Sequence, residues 1–383
     1  MALQASGGNP PVNSISFGQI EGEFGQNGSR SLGGYRMNDL NIGALTEVSL
    51  DRDGAGINAN SQIPVDNQTI RFSDFFSSRL NVIIDCHTSN QNRVHAKLDK
   101  YNATNASGNF TVVGGGAKPS NTSGKKIIIH VTKQIGSAAG NINTCALRTG
   151  TWNNGTDLRV EVAENGIIAG AGGNGGRGGG GSPGPAGGEN GGDGNSGLGI
   201  EYTGSATVVT TEGNGKIVGG GGGGAGGGSG YGKTERSPKP TLRAEGGGGG
   251  GGAGIPAGEG GAKGEGSCVG GGEGCYNDGE GEDGFDGTAT EGGEGGEFSN
   301  ANQGGEGNNL SGGLGGDGGD PGGAGAEGDP GEGGGGEWEW GPVFYSGGEG
   351  GSGGSAIRRV SGAPAPSTSG ATTIGATNGI GVA

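Results

Sequence analysis

The chain has little of the apolar material from which an ordinary globular core is built. Of its 383 residues, 28% are hydrophobic and 5% are aromatic, which is low for a soluble domain. It contains no apolar run of about 20 residues, so the sequence predicts no transmembrane helix. The first residues lack the basic and apolar regions of a signal peptide, and we expect no secretory leader from them.

Positive charge and cysteine are also scarce. There are 23 Lys and Arg against 39 Asp and Glu, a net charge of −16, and an acidic chain with scattered basic residues is a poor partner for nucleic acid. The four cysteines are too few for a disulfide scaffold and have no zinc-site spacing. Cys86 and Cys145 lie in strand-like segments and are predicted to be buried thiols. Whether Cys268 and Cys275 pair is left open.

Glycine takes the place of the missing residues. The chain has 107 Gly, concentrated between 166 and 354. Low hydrophobicity with high net charge is typical of disorder, but these blocks recur between apolar, strand-like phrases. Glycine can also form a collagen helix, which needs Gly at every third position, or a bundle of polyproline-II-like rods within one chain. The three-residue frame breaks at Asn190 and Glu337. We therefore favour the bundle, with collagen and disorder as the alternatives.

A rod bundle assigns roles to the residues that are not glycine. Four phrases are predicted to form turns at rod ends: 233–245, 275–278, 285–290 and 298–303. Acidic residues recur between glycines, as at Asp283 and Asp317. The simpler interpretation is a solvated outer face that keeps the bundle soluble. The alternative is a metal-binding acidic surface.

The predicted fold class is mainly β with little α-helix. The expected domains are an N-terminal attachment segment (1–80), a small β-sandwich-like domain (81–165), a polyglycine-II bundle (166–354) and a C-terminal tail (355–383). Short strands at regular spacing indicate the sandwich or an antiparallel sheet. The phrase Asn-Gly-x-Ile-x-Gly begins at both Asn165 and Asn214, which indicates a degenerate internal repeat shared by the β-domain and the glycine region.

No group of residues predicts catalysis. Residues 227–234 (Gly-Gly-Ser-Gly-Tyr-Gly-Lys-Thr) match a P-loop, but glycine precedes them and Pro-Lys-Pro follows closely, so the required strand and helix are not expected. Asp85, Cys86 and His87 are adjacent, yet strand alternation turns Cys86 away from both neighbours. We expect a protein that is not an enzyme and uses no cofactor or metal.

Two segments in the glycine half carry concentrated side-chain chemistry. Glu337–Tyr345 contains two of the three Trp, either as a plug at the bundle end or as an exposed patch for sugar rings or a receptor loop. Lys233–Arg243, next to Tyr231, is a basic cluster that is either a binding loop or a long turn. The candidate contact residues are Tyr231, Lys233, Arg236, Lys239, Arg243, Trp338, Trp340, Phe344 and Tyr345.

Several phrases resemble proteins of tailed bacteriophages. Ile-Ser-Phe-Gly-Gln-Ile-Glu-Gly-Glu-Phe-Gly (15–25), Ser-Leu-Gly-Gly-Tyr-Arg (31–36) and Ile-Arg-Phe-Ser-Asp-Phe-Phe (70–76) resemble the N-terminal segment of phage fibre and tail proteins. Residues 127–176 look like glycine-rich tail-fibre and host-specificity proteins. The glycine half is similar to phage adhesin tips built as polyglycine sandwiches, in which variable loops contact the receptor.

The resemblance implies a virion protein anchored by its N-terminus to other tail or neck proteins. Its distal part would bind a host-surface glycan or outer-membrane protein, and the family analogy suggests a homotrimer. The candidate anchoring residues are Ile15, Phe17, Ile20, Phe24, Tyr35, Phe72, Phe75 and Phe76. The alternatives are a purely structural appendage without a receptor, and a secreted glycine-rich or collagen-like matrix protein.

Overall fold

The computed structural model describes most of the chain from residue 81 onwards. The described residues are 16–18, 69, 72, 81–86, 93–101, 110–113, 121–138, 141–180, 186–235, 241–265, 275–276, 280–302, 309–335 and 338–382. The fold is mainly β, and a π-helical segment, Ala96–Tyr101, is the longest helix in this part of the chain. The prediction of a mainly β fold with little helix is confirmed.

The first architectural unit is a β-solenoid with three faces, because successive strands join the three sheets in turn. Face 1 has the order β10-β7-β4-β1-β3, face 2 the order β20-β11-β8-β5, and face 3 the order β2-β6-β9-β19-β21. The strands of face 1 are β1 (Asn81–Cys86), β3 (Phe110–Val113), β4 (Lys126–Val131), β7 (Asp157–Val162) and β10 (Val208–Thr211). Those of face 2 are β5 (Gln134–Ile135), β8 (Ile167–Ala169), β11 (Lys216–Val218) and β20 (Thr373–Ile374). Those of face 3 are β2 (Val94–His95), β6 (Cys145–Arg148), β9 (Ser196–Ile200), β19 (Ile357–Arg359) and β21 (Gly379–Ile380).

The strand pairing corrects one expectation about this unit. Within the three faces the described pairs are parallel, except that β3 runs antiparallel to β1. The predicted β-sandwich-like or antiparallel arrangement is therefore wrong. Short strands separated by turns suit the coils of a solenoid as well as they suit hairpins, and spacing alone does not distinguish them. Residues 196–218 and 355–382 also contribute strands to the solenoid.

Ladders of identical or similar apolar residues fill the solenoid. Parallel register stacks a residue of one coil directly on its equivalent in the next. Three buried ladders result: Ile84–Ile129–Val160–Val209, Ile135–Ile168–Ile217 and Leu147–Leu198–Ile357. Each buried aliphatic side chain contributes roughly 1.5–3 kcal/mol, so a few short strands suffice for a core. Cys86 and Cys145 are buried thiols, as predicted.

The repeated Asn-Gly-x-Ile-x-Gly phrase occupies equivalent positions in two coils. Its strands are β8 and β11, which pair with Ile168 opposite Ile217 and Ala169 opposite Val218. A glycine segment follows each strand directly. The repeat predicted from Asn165 and Asn214 is confirmed as a structural repeat.

The second architectural unit consists of straight glycine segments, here called rods, inserted at the corner between faces 2 and 3. Two rods connect β8 to β9, and the others lie between β11 and β19. The inner rods are 219–228 and 245–254, and the outer rods are 170–180, 186–195, 257–265, 280–288, 291–299, 312–320, 323–331 and 345–355.

Inner rod 219–228 is hydrogen-bonded on all sides. Each of its N–H groups donates to a backbone carbonyl. Gly219 donates to Ile374 of the solenoid, and from Gly220 onwards consecutive residues donate to three different rods in rotation. Three further rods donate to its carbonyls with the same three-residue period. Its partners are the outer rods 170–180, 186–195, 312–320, 323–331 and 345–355 and the inner rod 245–254. Six neighbours around one rod define a hexagonal lattice.

The second inner rod, 245–254, has the same environment. Its partners are 219–228 and the outer rods 170–180, 257–265, 280–288, 291–299 and 312–320. Each outer rod also bonds to the next, so the outer rods form a closed ring around the inner pair. The lattice is therefore completed within one chain.

Close approach of the backbones explains the glycine content. A Cβ atom added at Gly223, in the centre of an inner rod, would lie 2.0 Å from the carbonyl oxygen of Asn174. Backbone atoms of a fully bonded neighbour cannot move aside as a flexible side chain can. Glycine at this position is a steric requirement of the lattice.

The outer rods show the period of three in their exposure. Along 291–299, exposed, half-buried and buried residues follow one another in strict rotation, with Glu291, Glu294 and Glu297 at the exposed positions. A three-residue repeat is the period of a polyproline-II helix. The acidic side chains of this rod therefore face solvent, as the simpler interpretation predicted.

Asparagine and aspartate residues also bind neighbouring rods together. Asp317 Oδ1 accepts a hydrogen bond from Gly295 N–H at 2.9 Å, and six other Asx side chains bond backbone N–H groups of a neighbouring rod in the same way. These residues are Asn174, Asn190, Asp193, Asp283, Asp286 and Asp320. We call these contacts Asx clips. They give a partner to amides that no carbonyl of the lattice reaches.

The rods have two different ends. The base end adjoins the solenoid, where Ala169, Val218 and Ile255 form a small apolar cluster. Tight turns at 288–291 and 320–323 also lie at the base end. The turn predicted at 285–290 therefore lies a few residues later, at 288–291. Phe285 lies within a rod, where its N–H donates to the carbonyl of Glu294. The opposite end, the tip, carries hairpins.

Candidate binding face at the tip

Two small sheets form the tip. The first, called the tip sheet, has the order β14-β13-β12-β18, and the second has the order β15-β16-β17. The tip-sheet strands are β12 (Gly230–Thr234), β13 (Thr241–Ala244), β14 (Cys275–Tyr276) and β18 (Trp338–Phe344). The other strands are β15 (Asn300–Asn302), β16 (Asn309–Ser311) and β17 (Glu332–Gly333). At about 3.1 Å per residue, nine-residue rods place these sheets roughly 28 Å from the solenoid.

A separate apolar cluster holds the two tip sheets together. Leu242 and Ala244 of β13 pack with Ala301 of β15 and Leu310 of β16, and all four are buried. Trp338 covers the cluster, and its Nε1 donates to the carbonyl of Gly335 at 3.0 Å. The tip therefore has its own core, apart from that of the solenoid.

The tip sheet brings together the two segments that the sequence singled out. Strand β12 pairs with β13 on one side and with β18 on the other. Tyr231 lies opposite Arg243 and Val343, and Lys233 lies opposite Thr241 and Trp340. Directly opposed residues share a face of an antiparallel sheet. Residues that are remote in the sequence thus form one surface, here called the tip face.

Charged and aromatic groups on the tip face are arranged in pairs. Lys233 Nζ lies 2.8 Å from Glu339 Oε2, and both side chains are about one-third exposed (30% and 32%). The guanidinium carbon of Arg243 lies 5.3 Å from the centre of the Tyr231 ring, within the range of a cation–π contact. These contacts hold the long side chains in defined positions on the tip face.

The strand β18 also exposes apolar area. Val343, opposite Tyr231 on the tip face, is 44% exposed, and Phe344, opposite Gly230 on the other side of the sheet, is 37% exposed. Trp338 points instead over β12, since a Cβ atom at Gly232 would lie 2.5 Å from the Trp338 ring. The exposed apolar area of the tip face therefore centres on Val343.

The structure describes only part of the remaining predicted contact residues. Tyr345 is half-buried at the start of a rod, and its N–H donates to Ser229. Arg236 and Lys239 lie outside the described residues, and Trp340 is described only by its position in β18.

The predicted anchoring residues fall mostly in the part of the chain that is not described. Phe17 packs against the solenoid core, and Phe72 is 42% exposed. Those outside the described residues are Ile15, Ile20, Phe24, Tyr35, Phe75 and Phe76, and Cys268 lies outside them as well.

Three residues of the tip face were not among the predicted contacts: Thr241, Glu339 and Val343. Strand alternation could have placed Val343 on the side of β18 opposite to Phe344, once the strand itself was recognised. The partner strand β12 lies far away in the sequence, and the register between the two strands has no local signal. The sequence therefore identified the two segments but not the face that they share.

The P-loop-like residues 227–234 have no capacity to hold a phosphate in this structure. Gly227 and Gly228 end an inner rod, and their N–H groups donate to Gly247 and Asp329. Residues 230–234 form β12, with no helix after it among the described residues. Backbone amides that are already bonded to carbonyls cannot cradle an anion.

Among the described residues, no group of three or more His, Cys, Asp or Glu side chains is placed to hold a metal ion. In the same part of the chain, no helix is long and apolar enough to cross a membrane.

An ionic cluster lies on the solenoid, away from the tip. Glu201 bonds Arg148, lies 3.1 Å from His95 Nε2, and accepts the N–H of Gly150 at 3.0 Å. Burial raises the pKa of Glu201, but the bonds from His95 and Arg148 outweigh burial and hold that pKa at about 2. The cluster joins strands of successive coils, so its role is structural.

Comparisons with known proteins give one structural likeness. No family model matches the sequence, and no curated protein matches it. The chain is similar to the crystal structure of the gp37-gp38 adhesin tip complex of the bacteriophage S16 long tail fiber, with 15% identity and a TM-score of 0.27. The likeness covers 84% of this chain and 86% of that chain. A TM-score this low carries no inference about this chain.

Proposed function

We propose that the chain is a non-enzymatic virion protein of a tailed phage, a fibre protein whose tip face binds a receptor on the host-cell surface. One observation carries the proposal. Segments that are remote in sequence, Tyr231–Arg243 and Trp338–Tyr345, converge on one small sheet at the end of the rods farthest from the solenoid. Half-exposed aromatic, charged and apolar groups on a rigid support suit a binding surface.

The rods support this function as a scaffold. Their three-residue hydrogen-bond period favours the polyglycine-II assignment, and the closed ring of outer rods needs no second chain. The homotrimer remains a prediction from the resemblance. Sedimentation of the full chain tests it. A trimer would support the homotrimer, and a monomer would contradict it and would agree with a lattice closed within one chain. Hydrogen exchange tests order, since the amides of 219–228 should exchange only on global unfolding.

Binding to cells tests the receptor role. We expect the labelled full-length chain to bind strains on which the phage that encodes it forms plaques. The double variant Tyr231→Ser, Val343→Ser removes two directly opposed side chains of the tip face. It should lower the apparent affinity at least about tenfold, because aromatic and apolar groups at the centre of an interface contribute strongly. Phe285→Ser is the matched control, since Phe285 is 59% exposed on the side of the rods.

Two outcomes would contradict the proposal. Wild-type protein that binds none of the sensitive strains would favour the purely structural appendage. Equal loss in the Phe285→Ser control would show non-specific adhesion. Mass spectrometry of purified virions tests the location independently, because a matrix protein would be absent from them.

A further inference from the structure

Arg358 is a buried cation that has no carboxylate partner among the described residues. It is 6% exposed, on strand β19 of face 3. Its Nε donates to Ser196 Oγ at 3.2 Å, and its Nη1 donates to Asn143 Oδ1 at 2.8 Å and to the carbonyl of Ile380. All three acceptors are neutral. A buried charge ordinarily requires an opposite charge, so Arg358 is an exception.

The second terminal nitrogen, Nη2, donates to none of the described residues. Glycines flank the guanidinium group. A Cβ atom at Gly379 would lie 3.3 Å from Nε, and one at Gly381 would lie 3.7 Å from Nη1. The backbone at both positions therefore lies close against the guanidinium group, with Ser355 and Asn143 packed beside it.

A second arginine, Arg148, lies near the site and is paired with Glu201. The register places Arg148 opposite Gly199, and Gly199 opposite Arg358, so the arginines lie two strands apart. Arg148 Nε is buried and has no hydrogen-bond partner among the described residues. Burial raises the pKa of Cys145 to about 12, against the opposing effect of Arg358, Arg148 and Arg93. The carboxylate of Glu201 also acts on Cys145, and it pairs with Arg148 but not with Arg358.

We propose that Arg358 forms a carboxylate-binding site that pairs with an acidic side chain of a partner protein docked on face 3. A guanidinium group matches a carboxylate in geometry as well as in charge. Ile380, 50% exposed beside the site, offers apolar area for the same partner. That this partner belongs to the virion rests on the proposed function. The site itself does not.

Acetate is the probe for the carboxylate. We expect acetate to raise the Tm of the full-length chain, relative to chloride at equal ionic strength, with a saturable dependence on concentration. Arg358→Gln should abolish this shift. Arg159→Gln is the control, because Arg159 pairs with Asp157 on another face. An equal shift in both variants would overturn the proposal, as would a shift with inorganic phosphate but none with acetate.

A measurement without substitutions covers the case in which Arg358→Gln fails to fold. Acetate should slow hydrogen exchange of the amides at Gly379 and Gly381 in the wild-type chain, with no change in the inner rods. Unchanged exchange at these glycines would contradict the site. Neither experiment involves host cells, so its failure is distinguishable from failure of the receptor proposal.

Discussion

The side chain of Asp317 and the backbone of Gly295 join two neighbouring outer rods, with 2.9 Å between Oδ1 and the amide nitrogen. Asp317→Ala should lower the free energy of unfolding by about 0.5–1.5 kcal/mol, because the amide loses its acceptor at a site open to water. Asp317→Asn keeps an oxygen at the same position and should remain close to wild type. Urea denaturation of the three proteins measures the difference. Equal loss in both variants would assign the effect to charge instead.

The central glycines of the inner rods should tolerate no side chain, although Ala225 and Ala253 are accommodated elsewhere in these rods. Gly223→Ala places a Cβ atom 2.0 Å from the Asn174 carbonyl oxygen, and we expect a loss of stability above about 3 kcal/mol or failure to fold. Gly341→Ala is the control, since nothing lies within 4 Å of its Cβ position. Thermal unfolding followed by circular dichroism compares them. A stable Gly223→Ala protein would contradict the lattice.

The ionic cluster at Glu201 should make the free energy of unfolding depend on pH in the acidic range. The folded-state pKa of about 2 lies below the ordinary value of 4.5, so the stabilisation is complete above pH 4.5 and is lost as the pH falls towards 2. Glu201→Gln should therefore be less stable than wild type at neutral pH, and the difference should shrink at low pH. Denaturation midpoints across this range measure it, with Glu327→Gln on an exposed rod position as control. A constant difference would contradict the linkage.

The Lys233–Glu339 pair should matter more for binding than for stability. A pair on the surface contributes about 0.2–1 kcal/mol, so Lys233→Met should change the unfolding free energy by less than about 1 kcal/mol. Binding to sensitive cells should fall, because the pair orients groups on the tip face. Parallel measurements of denaturation and cell binding separate the effects. A large stability loss with unchanged binding would contradict this role.

Features that depend on local patterns were predicted well from the sequence. The repeat at Asn165 and Asn214, the buried Cys86 and Cys145 and the mainly β content all follow from such patterns. The solenoid was not predicted, because parallel pairing joins strands such as β9 and β19 that are separated by most of the glycine region. The Asx clips also lacked a signal, since an Asp between glycines is solvated or bonded according to which rod lies beside it.

The closed lattice has a mechanical consequence. The rods run side by side from the solenoid to the tip, and their hydrogen bonds lie across that direction. A pull on the tip would load many of these bonds in shear at once, whereas a hairpin pulled at its ends opens one bond at a time. The same glycines that forbid side chains would thus let a slender, side-chain-poor structure bear tension.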